Sequence, residues 1–303
     1  MRESFFWKLF LRKAARTIKR AGCIALDLVL LPFQIIIAFV QTIYSMVRDK
    51  KGFHTALTER AKAFVPRHIR RDSVLAVLKV LAAAGRASEE DIRAHYQNNL
   101  KVWSGEKTKR DKERMLDGQG RYIEHQSYMR SIRYGTARPA LDRLVFGGKA
   151  SLDGSSNTCE VIAVYNALLA LEEGAAAVSF PSLLAQFEKK GMILGGYFGT
   201  SPDYIEAYFQ KEYERKLLSG ARITAHALKR LSEEYAAYIL TAYNDREDIT
   251  KEIHTMCISG QMGKYQVHNG DQGKVYDSLG DAVFGYKSGK GRAICVIGVR
   301  KLR

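Results

Sequence analysis

The sequence predicts an α+β architecture: a basic, mostly helical N-terminal half, then a domain in which one buried helix packs on an antiparallel sheet. Three observations predict it. The charge is segregated: of the formal +16, residues 1–150 hold 30 Lys/Arg against 14 Asp/Glu, while residues 151–303 hold 18 of each. A long apolar run occupies residues 24–47. Beyond residue 235 the apolar period changes from that of a helix to that of a strand. These shifts divide the chain into a leader with an apolar segment (1–50), a basic, mostly helical linker or accessory region (51–150) and a C-terminal domain (151–303).

The apolar run reads IALDLVLLPFQIIIAFVQTIYSMV. As a helix it is about 36 Å long, enough to cross a hydrocarbon core of about 30 Å. Its polar exceptions, Asp27, Gln34 and Gln41, recur every seven residues and share one face, which suits a helix–helix partner. Pro32 is a site for a kink. Three readings fit: a spanning helix with a polar stripe, a re-entrant or interface-lying helix, and a buried helix of a soluble bundle. Membrane association is the expectation, because both flanks are basic. Residues 1–21 carry seven Lys/Arg and one acid beside Phe5, Phe6, Trp7 and Phe10, and residues 48–71 carry eight Lys/Arg and two acids. Such a segment attracts anionic lipid. Both flanks net +6, so positive-inside bias gives no orientation.

Residues 72–150 read as helical. SVLAVLKVLAAAG has helical apolar spacing and a glycine stop. SEEDIRAHYQNNLKVW follows with Ser88 as N-cap and Asp91 at the third helical position. EKTKRDKER is a solvated face or loop. No zinc-finger, helix-turn-helix or aromatic stacking motif accompanies the positive charge, which argues against a nucleic-acid partner.

In the C-terminal half, NTCEVIAVYNALLALEEG is apolar almost all round and predicts a buried helix, with Asn157 as N-cap and Glu160 returning the bond. PSLLAQFEKKG predicts a second helix, and Ser201-Pro202-Asp203 a further helix start. AAYILTAYN, HTMCISG, KYQVHNG and RAICVIGVR read as strands.

The four cysteines, Cys23, Cys159, Cys257 and Cys295, form no CxxC pair, which argues against a disulfide framework and a cysteine-rich zinc site. Cys257 and Cys295 sit mid-strand among apolar neighbours and read as packing. Cys159 is different. With Asn157 as cap it takes the second helical position, where free N–H groups and the helix dipole favour a thiolate. Downstream, a hairpin with Gln261 and Met262 as its loop sets His254 directly across from Asn269, on the face of Met256, Ile258, Tyr265 and Val267. An imidazole beside a side-chain amide is what a cysteine nucleophile needs: the amide orients the ring and the ring takes the thiol proton. His268 points to the other face. His254, His268 and Asp271 lack recognisable metal-ligand spacing, so neither a metal nor another cofactor is expected.

NTCEVIAVYNALLAL, GGYFGTSPDYIEAYF and IHTMCISGQMGKYQVHN resemble the papain-like cysteine peptidases, closest to the bacteriocin-processing, double-glycine-leader group. The resemblance covers about residues 152–300. It implies a papain-like domain acting on a peptide or protein through an acyl-enzyme, with Cys159 as nucleophile, His254 as general base and Asn269 orienting it. Acyl transfer or amide hydrolysis on the same triad is a related outcome, and an inactive, membrane-tethered binding or adaptor protein is the alternative. The departure is at the oxyanion position. The family's Gln, about six residues before the Cys, is replaced by Asp153. Asn157 or a Ser of SLDGSS, with the backbone N–H of Cys159, is the expected substitute. Asn166, seven residues after Cys159, is expected either to support the site from behind the nucleophile or to be a bonded core amide. A working free thiol favours a reducing, cytoplasmic side for the domain.

Overall fold

The computed structural model describes residues 2–83, 87–106, 109–137, 142–143, 152–172, 178–210, 212–270 and 273–302. The side chains of residues 1–10, which include the aromatic cluster Phe5, Phe6, Trp7 and Phe10, and the whole of Asp271 lie outside this set.

The N-terminal half is helical. Helix α1 runs over Arg2–Arg48 and takes in the whole apolar segment, with Pro32 inside it. It is the one described helix long and apolar enough to cross a membrane. Helices α2 (Phe53–His68), α3 (Arg71–Ala83) and α4 (Glu89–Trp103) follow. Ser88 caps α4 by accepting from the Asp91 N–H, as its sequence predicts. The charged run expected as a loop or solvated face forms a short helix α5 (Lys109–Met115) at its end. Both α2 and α3 pack along α1.

The C-terminal half holds α6 (Cys159–Leu171), α7 (Phe180–Lys190), α8 (Pro202–Tyr208), β1 (Tyr213–Ser219), α9 (Ala225–Glu234), β2 (Ala237–Tyr243), β3 (Ile253–Gln261), β4 (Lys264–His268), β5 (Val275–Tyr276), α10 (Leu279–Phe284) and β6 (Arg292–Lys301). The six strands form one antiparallel sheet in the order β1-β6-β2-β3-β4-β5. The fold is therefore α+β. Strand β1 escapes the sequence pattern because YERKLLS is an edge strand with mixed burial.

Each face of the sheet is covered, so the central strands β2, β3 and β6 are buried on both sides. On one face lie α6 and α7, with Ala237, Ile239, Cys257, Ile297 and Val299 beneath them. On the other lie α9 and α10, over Tyr238, Leu240, Ala242, Met256, Ile258, Val267 and Val296. Helix α6 is the centre of the first layer, with eleven of its thirteen residues buried. The first core also takes Val102, Met115, Ile123, Met129, Ile132 and Tyr134. Residues from α4 to Tyr134 thus contribute to the same core as α6. Apolar residues scattered without period in 115–134 pack into the core around α6, which is why no linker signal marks them.

The polar stripe of α1 faces its own chain. Asp27 accepts hydrogen bonds from the Arg70 backbone N–H at 3.0 Å, the Arg70 guanidinium and the Ser73 hydroxyl at 2.7 Å. Gln34 Nε2 donates to the His68 carbonyl at 3.4 Å, and Arg60 donates to Gln41 Oε1 at 3.2 Å and to Ser45 Oγ at 3.1 Å. The helix–helix contact expected for Asp27, Gln34 and Gln41 is made with the α2–α3 segment.

Candidate functional site

A short helical turn, Gly154–Asn157, precedes α6 and is capped by Asp153. The cap of α6 is Thr158 rather than Asn157, so Cys159 stands at the first helical position, not the second. The shift arises because SLDGSSN closes its own turn before α6 begins. Cys159 and Glu160 open onto a cleft of about 540 Å3 walled by Leu78, Ile193, Tyr197, Phe198, Ile249 and Ile253, with Thr241 and Glu252 on its sheet side.

Chemistry in this cleft differs from that of a free thiolate at a helix end. Burial pushes the Cys159 thiol well up, and the neighbouring Glu160 carboxylate adds to it, while a hydrogen bond from the Thr255 backbone works the other way. Burial also raises the Glu160 carboxyl to about 7, against hydrogen bonds from its own N–H, the Cys159 thiol and the Thr200 N–H. Near neutral pH the thiol therefore keeps its proton while the Glu160 carboxyl is close to half ionised. Gly199 makes room for it: a Cβ there would lie 2.6 Å from Glu160 Oε2.

Two acceptors at the cleft lack partners among the described atoms, Glu160 Oε2 and Asn157 Oδ1. Both residues are buried, at 6% and 4% exposure. Asn157 is unsuited to the oxyanion role expected of it. Its amide nitrogen already donates to the carbonyls of Tyr134 at 3.0 Å and Gly196 at 3.1 Å, and what it leaves over is an acceptor.

The hairpin turns at Met262 and Gly263, not at Gln261 and Met262. Gln261 pairs with Lys264 and Cys257 with His268. Both turn residues have positive φ, 49° and 75°, the geometry of a tight two-residue hairpin that wants glycine in second place. The register moves by one residue on each strand, so side chains keep their faces but His254 is no longer directly opposite Asn269. They still meet: His254 Nε2 donates to the Asn269 backbone carbonyl at 2.5 Å. The Asn269 side-chain amide is engaged elsewhere, accepting from the Gln126 N–H at 3.3 Å and donating to Gln126 Oε1 at 3.2 Å.

His254 and Cys159 are set on opposite faces of the sheet. In β2 and β3, His254 pairs with Ala242 and Thr255 with Thr241. Ala242 belongs to the α9–α10 layer. Thr241 lines the Cys159 cleft, and its hydroxyl lies 3.1 Å from that of Thr255. Burial lowers the His254 pKa, offset by the Asn269 carbonyl and reinforced by Lys287, which comes from the segment after α10. Ile253, not His254, reaches the cleft. The face reading that made Met256 and Ile258 the side facing the nucleophile fails because both faces of this sheet are apolar, so hydrophobicity does not tell which one α6 covers.

Asn166 grips the backbone of Ile123, accepting from its N–H at 3.0 Å and donating to its carbonyl at 2.9 Å. It is the bonded core amide and does not line the cleft. His268, on the α6 face, joins Ser259 (Nε2 to Oγ, 2.8 Å) and Glu124 (Nδ1 to Oε1, 2.5 Å), beneath a stacked Tyr122 ring 3.9 Å away. That hydrogen-bonded row is wholly buried at His268 and none of the three lines the cleft. The sequence offers no signal for it, since Glu124 stands 144 residues from His268. Cys257 and Cys295 are buried, and burial raises both thiols.

Among the described residues no group of three or more His, Cys, Asp or Glu side chains is placed to hold a metal ion. Comparison of the chain with family models, with curated proteins and with solved structures finds no match.

Proposed function

We propose that the C-terminal domain is a ligand-binding module with a papain-like order of elements, held at a membrane through α1, and that it does not hydrolyse by a Cys–His pair. The observation that carries this reading is the placement of Cys159 and His254 on opposite faces of the sheet. A thiol whose pKa is raised by burial, with no imidazole beside it, is a poor nucleophile at neutral pH. The cleft is suited to holding a ligand. It is walled by aliphatic and aromatic side chains, and its unpartnered polar atoms are both acceptors. The ligand class that complements them is a peptide segment with apolar side chains, its N–H groups donating to Glu160 Oε2 and Asn157 Oδ1. Four unpaired cysteines suit a reducing, cytoplasmic-type side.

A second reading keeps Cys159 as nucleophile and makes Glu160, with its carboxyl at about 7, the group that takes the thiol proton. The same cleft then serves a thiol peptidase, amidase or acyltransferase in which His254 takes no part.

Alkylation of Cys159 by iodoacetamide, followed by mass spectrometry from pH 4 to 10, separates these readings. For a binding module, wild type, His254→Ala and Glu160→Gln all react only above the range of an ordinary thiol, about 8.5. Reaction near neutral pH that Glu160→Gln abolishes selects the second reading. Reaction near neutral pH that His254→Ala abolishes sinks the proposal and restores the Cys–His hydrolase.

A further inference from the structure

Helix α1 has two unlike long faces. The inward one is fastened to the rest of the chain from Arg16 to Ser45. Arg16 and Arg20 pair with Glu206 and Asp203 of α8, and Lys19 pairs with Asp72 of α3 at 2.7 Å. Asp27 holds Arg70 and Ser73, Gln34 reaches His68, and Gln41 and Ser45 take Arg60. The chain therefore runs back along α1 through α2, since residues 60, 68 and 70 meet residues 41–45, 34 and 27 in turn. Helix α2 is in its turn tied to the sheet domain. Arg67 pairs with Glu247, Lys62 with Asp248 at 3.6 Å, and Arg292 donates to the Pro66 carbonyl.

The outward face is different. Leu26, Leu28, Val29, Phe33, Ile36 and Val40 are among the large apolar side chains left exposed along it, each by 46% or more. They continue to Tyr44 and Val47. A soluble chain does not leave so long an apolar strip in water without a partner. Cations stand at its ends, with Arg12 exposed on one side and Arg48 and Lys50 on the other.

These two faces exclude a simple span. If α1 crossed the bilayer while docked, Arg60, Lys62, Arg67, His68 and Arg70 would be drawn into hydrocarbon together with the edge of the sheet domain. Charged groups are costly there, and charged loops are excluded. We propose that α1 lies in the plane of an anionic membrane surface, with its outward face sunk to the level of the acyl chains and the domain docked above it. The partner is a bilayer carrying acidic headgroups, which match the +16 charge concentrated in residues 1–150. This inference rests on the membrane association proposed above and is independent of the chemistry in the cleft.

The test uses two positions that bracket the apolar strip. Arg12 is exposed beyond one end, where its cation stands at the headgroups, and Gly52 beyond the other is open, with nothing within 4 Å of an added Cβ. The full chain carrying Cys23→Ser, Cys159→Ser, Arg12→Cys and Gly52→Cys is reconstituted into sealed vesicles of phosphatidylcholine and phosphatidylglycerol by detergent removal. It is labelled from outside with a membrane-impermeant maleimide, and intact molecules are weighed. A helix in the plane keeps both positions on one side, so each molecule carries two labels or none. A spanning helix gives molecules with a single label, and that result overturns the proposal. A chain that does not float with the vesicles overturns it as well, and removes membrane association with it. Val29→Glu with Ile36→Glu, at side chains 65% and 60% exposed, leaves the inward contacts in place. It is expected to lower partitioning onto preformed vesicles at least tenfold, and raising phosphatidylglycerol is expected to strengthen wild-type binding. Unchanged partitioning of the double variant overturns the proposal independently.

Discussion

Glu124 and His268, 144 residues apart, are joined by a hydrogen bond of 2.5 Å between Oε1 and Nδ1, and the other carboxylate oxygen accepts from the Asn269 N–H at 2.9 Å. One side chain from the segment before α6 thus holds the end of β4 in place. Glu124→Ala is expected to cost about 3 kcal/mol, because it leaves a buried imidazole nitrogen and a backbone N–H without partners. Ser259→Ala removes only the far end of the same row and is expected to cost about 1 kcal/mol. Urea unfolding of the two variants, compared through their midpoints at constant m, checks the order.

Glu160 predicts an unusual pH dependence. Its folded carboxyl titrates at about 7 against an ordinary 4.5. Between these values the folded chain keeps a proton that the unfolded chain has released, so stability falls as pH rises through the window and is level above it. The full drop is about 3 kcal/mol. His254 acts with the opposite sign: its folded pKa is lowered from 6.5, so stability is lost as pH falls below that value. The difference between wild type and Glu160→Gln, measured by denaturant unfolding from pH 4 to 8, isolates the Glu160 slope. Parallel curves would refute it.

Two glycines should respond unequally to alanine. At Gly199, with φ of +66°, an added Cβ meets both carboxylate oxygens of Glu160 at 2.6 and 2.7 Å. Gly263 has φ of +75° but open space around it. Gly263→Ala is expected to cost about 1 kcal/mol for the backbone alone. Gly199→Ala is expected to cost about 3 kcal/mol, since the buried pair must also move. Equal effects on the unfolding midpoint would mean that Glu160 does not sit against Gly199.

Asn166→Leu is expected to destabilise by about 3 kcal/mol, because the N–H and carbonyl of Ile123 both lose their partner. Its effect on Cys159 alkylation is expected to be nil in the fraction that stays folded. A large change in that rate would return Asn166 to the site.

Local chemistry made most helices and four strands legible in the sequence. Ser88 with Asp91, the Pro202 start and the all-apolar α6 each follow from caps and periodicity. The polar stripe of α1 was visible through its seven-residue recurrence, though not what it meets. Strand β1 was hidden because four of its seven residues are polar or charged, and only pairing with β6 makes it a strand. The hairpin turn was misplaced by one residue, where Met262 takes a positive φ that methionine rarely adopts and Gly263 takes the place glycine prefers. The site was the least legible part. Alternation tells which residues share a face, but a sheet apolar on both sides gives no sign of which face receives α6. The roles of Glu124, Gln126 and Tyr122 depend on contacts across more than a hundred residues, which no local pattern announces.

Helix α3 touches α1 on one side and lends Leu78 to the wall of the cleft on the other. The cleft therefore stands about two helix diameters, roughly 20 Å, from whatever surface α1 rests on. At that spacing what matters for occupancy is the number of ligands per unit area of the surface, not their concentration in the surrounding solution. A peptide anchored in the same leaflet is searched for in two dimensions and meets the cleft at a high effective concentration, whereas a freely diffusing one of equal intrinsic affinity gains nothing. Weak contacts inside the cleft then suffice for selective capture, provided the ligand shares the surface.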